Sequence, residues 1–436
     1  MSPEKINNST YESLKILVAP LDWGLGHATR CIPIIKELEY FKCDVRVAGS
    51  PQQIALLRQE FPGLDYRELA GYGIRYGRNR FLTLWRIILQ IPKILIRIKR
   101  EKAWLAAFIA AEKPDLVISD NRYGLHAPGV YCVFITHQLA IRPPGISAQS
   151  PGRRTQINKW GESLLQWIHY RAIVRFDRCW IPDRAEDKGL AGELSHPDHL
   201  PSIPTRYIGI LSRMENNDAR GPSFDLIVLL SGPEPQRSIL ERKILRQAEG
   251  CEESILLVRG VVGGGEAGSY GEDGVPSQET LKEASRQGVF IHDHIPAVPL
   301  NKLINAAQIV LARAGYSTIM DLATLDKPAI LVPTPGQTEQ EYLGHWLAGK
   351  GAAICVEQDK LDLPNDLRAA RAAFSGGKGG WGTMQEVGGE VQAGGEPLQG
   401  DGASLLRQEL REVLEIVKKG GQRRGGWKSG SRKEGG

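Results

Sequence analysis

The sequence predicts an α/β protein built from two successive βα domains, each organised on a parallel sheet. Three observations carry this. Short apolar runs recur with room for one helix between them, glycine-rich turns follow several of those runs, and the alternation halts near residue 213 and then restarts. The length of 436 residues also exceeds what one compact core usually holds.

The first strand, residues 15–20, runs straight into Asp22-Trp23-Gly24-Leu25-Gly26-His27. Helical spacing follows over 28–39 through Ile32, Ile35 and Leu38, and 44–48 read as a second strand. A strand-loop-helix-strand unit implies parallel pairing through a right-handed crossover. A helix at 54–60 and a strand at 65–69 continue the pattern. Strands at 115–119 and 130–136 end in Asp120-Asn121-Arg122-Tyr123-Gly124 and in His137-Gln138. Polar groups therefore stand at the carboxyl ends of strands, where open parallel sheets bind ligands. A helix over 158–174 and a strand at 178–182 complete the first sheet, and 207–223 form the hinge.

In the second half, a strand at 225–230 leads into Ser231-Gly232-Pro233-Glu234-Pro235 and a helix at 238–247. A strand at 254–258, a glycine-rich excursion at 260–278, a strand at 289–292, a helix at 300–307 and a strand at 309–312 follow. Next comes Arg313-Ala314-Gly315-Tyr316-Ser317-Thr318-Ile319-Met320-Asp321, a strand end, a tight glycine turn and the first turn of a helix. Ser317 and Thr318 are expected to cap that helix and leave backbone N–H groups for an anion. Asp321 lies four residues beyond Ser317 and faces the same way, placed to accept hydrogen bonds from vicinal hydroxyls such as those of a ribose. On these residues alone, a capped helix after a buried strand explains the pattern equally well. A strand at 329–333 and a helix opening at Gln337-Thr338-Glu339-Gln340-Glu341 come last. The expected divisions are 14–212 and 224–372 for the two domains, 373–403 for a disordered glycine-rich insertion, 404–419 for a C-terminal helix, and 420–436 for a basic disordered tail.

Hydrophobic content of 42% and charged content of 24% suit a soluble globular protein. A formal charge of +5 is too mild for a dedicated nucleic-acid binder. The six scattered cysteines form no CxxC pair and read as buried reduced thiols. The polar N-terminus lacks the apolar core of a signal peptide, and no apolar run reaches the roughly 18 residues of a membrane span, so a cytoplasmic protein is expected. Residues 78–102 interleave Phe81, Leu84, Trp85, Ile88, Ile94 and Ile98 with Arg78, Arg80, Arg86, Lys93, Arg97 and Lys102. Basic charge beside a wide apolar face fits a helix lying on an anionic membrane, peripheral at the inner face; packing on the sheet with solvated cations is the competing reading.

With the Gly-His loop, the hinge and the 313–321 motif placed, the chain resembles a GT-B glycosyltransferase. It is most similar to family 28, whose best-known member adds N-acetylglucosamine from its UDP donor to a polyprenyl-linked precursor of peptidoglycan. The resemblance runs from about residue 15 to 356, outside the glycine-rich excursion, and implies two Rossmann-like domains facing a central cleft. Gly24, Gly26 and His27 match the family's N-terminal glycine-rich loop, which faces the acceptor and the donor phosphates. His137 matches a second acceptor-side histidine, and Gln138 is expected over the same cleft. Arg213 corresponds to an arginine that touches the donor. Gly315, Ser317, Thr318 and Asp321 match the donor signature, whose acidic residue holds the ribose, and Arg313, Ile295, Ser231 and Gly232 are placed on the donor side with them. Gln340 and Glu341 match a Gln-Gln pair that contacts the transferred sugar.

Some residues depart from the pattern. The family's second glycine-rich loop reads Gly-Gly-Ser-Gln-Gly, whereas Pro233 and Pro235 remove N–H donors here and Glu234 would repel a phosphate. Asp321 is shorter than the family's glutamate, and Asp22 and Trp23 replace glycines of the peptidoglycan enzyme. These departures imply a relative with a different acceptor rather than that enzyme itself. The expected reaction is inverting transfer of a hexosyl or N-acetylhexosaminyl group from a UDP-sugar to a sugar or lipid-linked hydroxyl, with no metal or other cofactor. His27 is the expected base, with Asp22 and Asp120 as competing bases or as the group that orients it. A UDP-sugar 2-epimerase and a non-catalytic nucleotide-sugar-binding protein are the rival readings.

Overall fold

The computed structural model describes residues 11–73, 80–141, 156–216, 224–232, 234–261, 288–376, 379–382 and 401–424. The glycine-rich residues 262–278 and 383–400, the polar run 217–223, Pro233 and the tail from 425 lie outside the described residues, as do the side chains of 80–89.

Two parallel sheets form the framework. The first runs β3-β2-β1-β4-β5-β6-β7. Its strands are β1 (Lys15–Pro20), β2 (Asp44–Gly49), β3 (Asp65–Glu68), β4 (Leu116–Asp120), β5 (Tyr131–Ile135), β6 (Arg178–Ile181) and β7 (Thr205–Tyr207). The second runs β10-β9-β8-β11-β12-β13. It contains β8 (Leu226–Leu229), β9 (Ile255–Val258), β10 (Val289–His292), β11 (Ile309–Ala312), β12 (Ala329–Leu331) and β13 (Ile354–Cys355). β1, β4, β6 and β11 are buried almost end to end because helices cover both sheet faces. The strand order reverses between β1 and β4 in one sheet and between β8 and β11 in the other. A crevice opens at the carboxyl ends of strands at such a reversal, so the topology alone locates two facing ligand sites.

Three expectations change. β7 extends the first sheet beyond 178–182, with Trp180 paired to Arg206; three residues are too few to show a period in sequence. A helix at Leu363–Ala373, with Asp362 capping Asn365 N, was not expected. The insertion expected at 373–403 contains an anchor, because Trp381 is buried and its Nε1 donates to Lys327 O at 2.7 Å.

The helix expected on a membrane is α3 (Arg80–Glu112), which continues through Pro92. Its C-terminal half belongs to the core: Leu105 and Phe108 are buried, and Glu101 pairs with Arg122 at 2.8 Å and accepts from Tyr72 Oη at 3.0 Å. Upstream, Leu95 and Ile96 are exposed. Among the described residues, no helix is long and apolar enough to cross a membrane.

The C-terminal helix, Asp401–Arg424, returns to the first domain. Arg407 grips Glu37 at 2.7 and 2.9 Å and lies over the Tyr40 ring, while Glu409 accepts Trp180 Nε1 at 3.0 Å. Leu406, Leu410, Val413 and Leu414 supply its buried stripe.

Candidate active site

Helix α1 (Gly26–Tyr40) begins directly after the turn at Gly24, whose φ of 92° favours glycine. His27 therefore sits in the first helical turn, and Arg30, three residues on, shares its face. Asp120 ends β4, the neighbour of β1 across the strand-order reversal. The three converge. Arg30 Nε donates to Asp120 Oδ2 at 2.8 Å, Arg30 Nη2 also reaches Asp120 Oδ1, and His27 Nδ1 lies 2.9 Å from Oδ2. Asp120 is fully buried, whereas the His27 side chain keeps 15% exposure.

The electrostatics follow from this cluster. Burial pushes the Asp120 carboxyl up, but Arg30 and His27 outweigh it and hold it down at about 2. Burial, then the Arg30 charge, keeps the His27 imidazole below its ordinary value, against the pull of Asp120. His27 is thus neutral at physiological pH. A carboxylate can only accept, so Nδ1–H directed at Asp120 leaves Nε2 with its lone pair free to take a proton.

The second domain supplies the opposite wall. Helix α7 (Tyr316–Thr324) follows β11 with Gly315 at its N-cap and no side-chain cap. Ser317 therefore does not cap it as expected. Its Oγ instead donates across the cleft to Gly26 O at 2.7 Å, so the N-terminal turns of α1 and α7 meet. A β-carbon on Gly26 would stand 3.0 Å from Ser317 Oγ, which explains glycine there. Thr318 is half-buried in the same turn. Asp321 faces the hinge: its Oδ1 accepts Ser212 Oγ at 2.6 Å. Burial raises its pKa, opposed by the Arg213 guanidinium, whose buried Nε has no hydrogen-bond partner among the described residues. Tyr316 Oη donates to Pro182 O at 2.9 Å, and Tyr342 Oη accepts from Glu193 N at 2.8 Å, closing the domains further.

Several expected site residues lie elsewhere. Asp22 packs directly over Gly71 rather than against His27, so Asp120 orients the imidazole. His137 is not open to an acceptor: it is 3% exposed, its ring stacks on Tyr316 at 4.1 Å, and both nitrogens have partners. The Gln138 backbone ties to Thr136 Oγ1 and His169 Nε2. Arg313 turns away from the cleft; its guanidinium donates to Val332 O, Pro333 O, Gln236 O and Gln358 Oε1, and burial lowers it to about 10. It binds strand ends rather than a ligand. The Ile295 side chain is core. Gln340 and Glu341 accept from Thr334 N and Gly336 N, each at 2.9 Å, so both brace the loop before their own helix, α8 (Thr338–Gly349). Ser231 and Gly232 are exposed beside Glu234, whose carboxylate meets Arg237 and Ser238 N at the start of the helix Gln236–Ala248. An anion already occupies that helix end.

Two residues of the site escaped the sequence reading. Arg30 had a signal, its i+3 spacing from His27. Glu339 had none, because it meets His137 across 202 residues of chain, at 2.8 Å.

Comparison with known proteins places the chain in a family. The glycosyltransferase family 28 C-terminal domain matches residues 276–372. A Chlorobium limicola protein is 40% identical over 351 residues, covering 78% of this chain and 85% of its own length; a Chlorobaculum tepidum protein is 22% identical over 352 residues, covering 80% and 87%. Both are named UDP-N-acetylglucosamine–N-acetylmuramyl-(pentapeptide) pyrophosphoryl-undecaprenol N-acetylglucosamine transferase. Among solved structures, Glycyrrhiza uralensis UGT73P12, complexed with glycyrrhetinic acid 3-O-monoglucuronide, superposes with a TM-score of 0.56 at 13% identity, covering 94% of this chain and 98% of that one. The kitacinnamycin glycosyltransferase gives 0.55 at 14%, covering 94% and 99%; such distant likeness speaks to fold, and the fold is GT-B. With a Gly-His loop facing a glycine-turn helix across two parallel sheets, and a relative this similar along most of its length, the chain belongs to glycosyltransferase family 28.

Proposed function

We propose that this glycosyltransferase moves a hexosyl or N-acetylhexosaminyl group from a UDP-sugar to the hydroxyl of a lipid-linked acceptor, with inversion. The observation that carries the reading is the His27–Asp120 pair, set beside the N-terminal turn of α7 where the domains meet. His27 Nε2 takes the acceptor hydroxyl proton as the oxygen attacks the anomeric carbon. The new glycosidic bond forms on the face opposite the breaking bond to UDP. Asp120 stabilises the imidazolium through Nδ1–H, as in other histidine–carboxylate pairs. The charge developing on the departing diphosphate meets the N-terminal turns of α1 and α7 and the Arg213 guanidinium. Glu234 disfavours phosphate at the 231–235 loop, which leaves the α1 and α7 termini as the phosphate-facing elements. Asp321 is assigned to the ribose hydroxyls.

A membrane-borne acceptor accords with the exposed apolar residues flanking the acceptor side. Leu95 and Ile96 on α3 and Leu164, Trp167 and Ile168 on the helix Gln156–Ile173 are exposed. The two helices meet the loop after Asp120, through Gly124 N to Glu101 at 3.1 Å and Tyr123 Oη to His169 at 2.9 Å. The peptidoglycan intermediate used by the relatives is the first acceptor to assay, and the cytoplasmic leaflet the first surface.

The direct test supplies UDP-N-acetylglucosamine with a lipid-linked N-acetylmuramyl-pentapeptide and follows UDP release and glycosylated product. Conversion of the donor to its 2-epimer without acceptor would instead establish an epimerase. Donor binding by calorimetry without turnover of any acceptor would establish a binding protein.

A further inference from the structure

His27 Nδ1 is contested. Asp120 Oδ2 lies 2.9 Å from it, and Arg30 Nη2 lies 2.7 Å from it. An imidazole nitrogen cannot donate to a carboxylate and accept from a guanidinium at once. If Asp120 wins, Nδ1 carries the proton and Nε2 is a base. If Arg30 wins, the proton moves to Nε2 and the ring cannot accept the substrate's proton.

The orientation of the Arg30 guanidinium decides between these states, and a second chain of contacts sets it. Arg30 Nη1 lies 3.1 Å from His137 Nδ1. Arginine only donates, so His137 Nδ1 accepts and its remaining proton sits on Nε2. That Nε2–H points to Glu339 Oε1, 2.8 Å away. Burial works to raise Glu339, but His137 and its other neighbours outweigh it and keep the group ionised. Glu339 and the stacked Tyr316 belong to the second domain, whereas His137, Arg30, Asp120 and His27 belong to the first.

We propose that Glu339 is a positioning residue that couples domain closure to the His27 base. By holding His137 in the Nε2–H form, it keeps His137 Nδ1 accepting from Arg30, which holds Arg30 on Asp120 and leaves His27 as the Nδ1–H tautomer. When the cleft opens, Glu339 withdraws and His137 is free to place a proton on Nδ1. Donor would then face donor at Arg30, the guanidinium turns toward His27 Nδ1, and the base is disarmed until both domains close on substrates. This inference rests on the transferase reading for its purpose, but its geometry can be tested without turnover.

The test uses the full chain with 15N-labelled histidine and reads imidazole tautomers by long-range 1H–15N correlation. The expected spectrum shows His27 protonated at Nδ1 and His137 at Nε2. In Glu339→Ala both should shift toward the opposite tautomer, whereas Glu339→Gln, which keeps an accepting oxygen, should hold them. An unchanged His27 tautomer in Glu339→Ala, at native melting temperature, overturns the proposal. In the UDP-release assay with UDP-N-acetylglucosamine and the lipid-linked acceptor, Glu339→Ala should lower kcat about tenfold with donor KM within about twofold. It should cost nothing further in a His137→Ala background. A raised donor KM at unchanged kcat would make Glu339 a donor contact instead, and a Gln variant as slow as the Ala variant would exclude the acceptor role. If the unaltered protein releases no UDP, the substrate reading fails while the tautomer measurement still decides this one.

Discussion

Replacing Asp120 with Asn probes the centre of the site. The substitution keeps the shape but removes the charge that accepts from Arg30 at both oxygens and from His27 at Oδ2. Arg30 has a side-chain exposure of 2%, so its guanidinium would be left buried without a counter-charge. Breaking a buried pair on one side costs about 3–5 kcal/mol. For a domain near 200 residues, with roughly 2–4 °C per kcal/mol, the melting temperature should fall by about 10 °C. Catalysis should suffer more. The Asn amide can donate to Nδ1, which would drive the imidazole proton to Nε2, so the loss in kcat should match that of removing the base itself, about 10²-fold or more. The assay is UDP release at saturating donor, measured well below the variant's melting temperature. The same substitution in a His27→Ala background should cost no further kcat, because both changes remove one base. A loss of less than about tenfold in a folded variant would refute the pairing and return Asp22 to consideration.

Other outcomes follow from the same structure. His27→Ala should lower kcat by about 10²-fold or more, since a positioned base is typically worth that much. In the unaltered enzyme, burial and Arg30 depress the His27 pKa below its ordinary 6.5, so the base stays neutral as pH falls to that value. The acid limb of kcat/KM should therefore lie below pH 6.5, and a limb above neutrality would contradict the assignment. Arg313→Ala strips donors from buried carbonyls and should destabilise by about 3 kcal/mol in thermal melts, with donor KM little changed below the transition. A large donor KM effect without destabilisation would restore Arg313 to the donor site. Charge reversal at Lys93 and Arg97 should abolish sedimentation with anionic liposomes, and unchanged sedimentation would exclude α3 as the docking element.

Much of this protein was legible in one dimension. The buried parallel strands are nearly continuous apolar runs, so β1, β4, β5, β8 and β11 were each located from composition alone. Helix spacing placed α1 and the Gly-His turn before it, and the turn at Gly315 followed from a strand ending in glycine. Because side chains at strand ends and first helical turns face the crevice of a parallel sheet, His27 and Asp120 could be named as candidates before any contact was known.

Tertiary structure decided what those side chains do. Asp22 and Asp120 were equal candidates in sequence; the β1–β4 pairing brings Asp120 to His27, while Asp22 rests on Gly71. Arg313 sits within the glycine-turn motif, yet its guanidinium reaches four acceptors on distant segments, a direction no spacing records. Glu339 and His137 come from different domains, and their contact exists only because the cleft is closed. The C-terminal helix belongs by sequence to the second half and by packing to the first, through Arg407 and Glu409. The physical reason is common to all four. Periodicity and turn chemistry are local properties of the chain, so they specify elements and the faces of elements. The tautomer of a histidine, the partner of a buried charge and the far end of a guanidinium are set by whichever distant segments the packed sheets bring within hydrogen-bond reach.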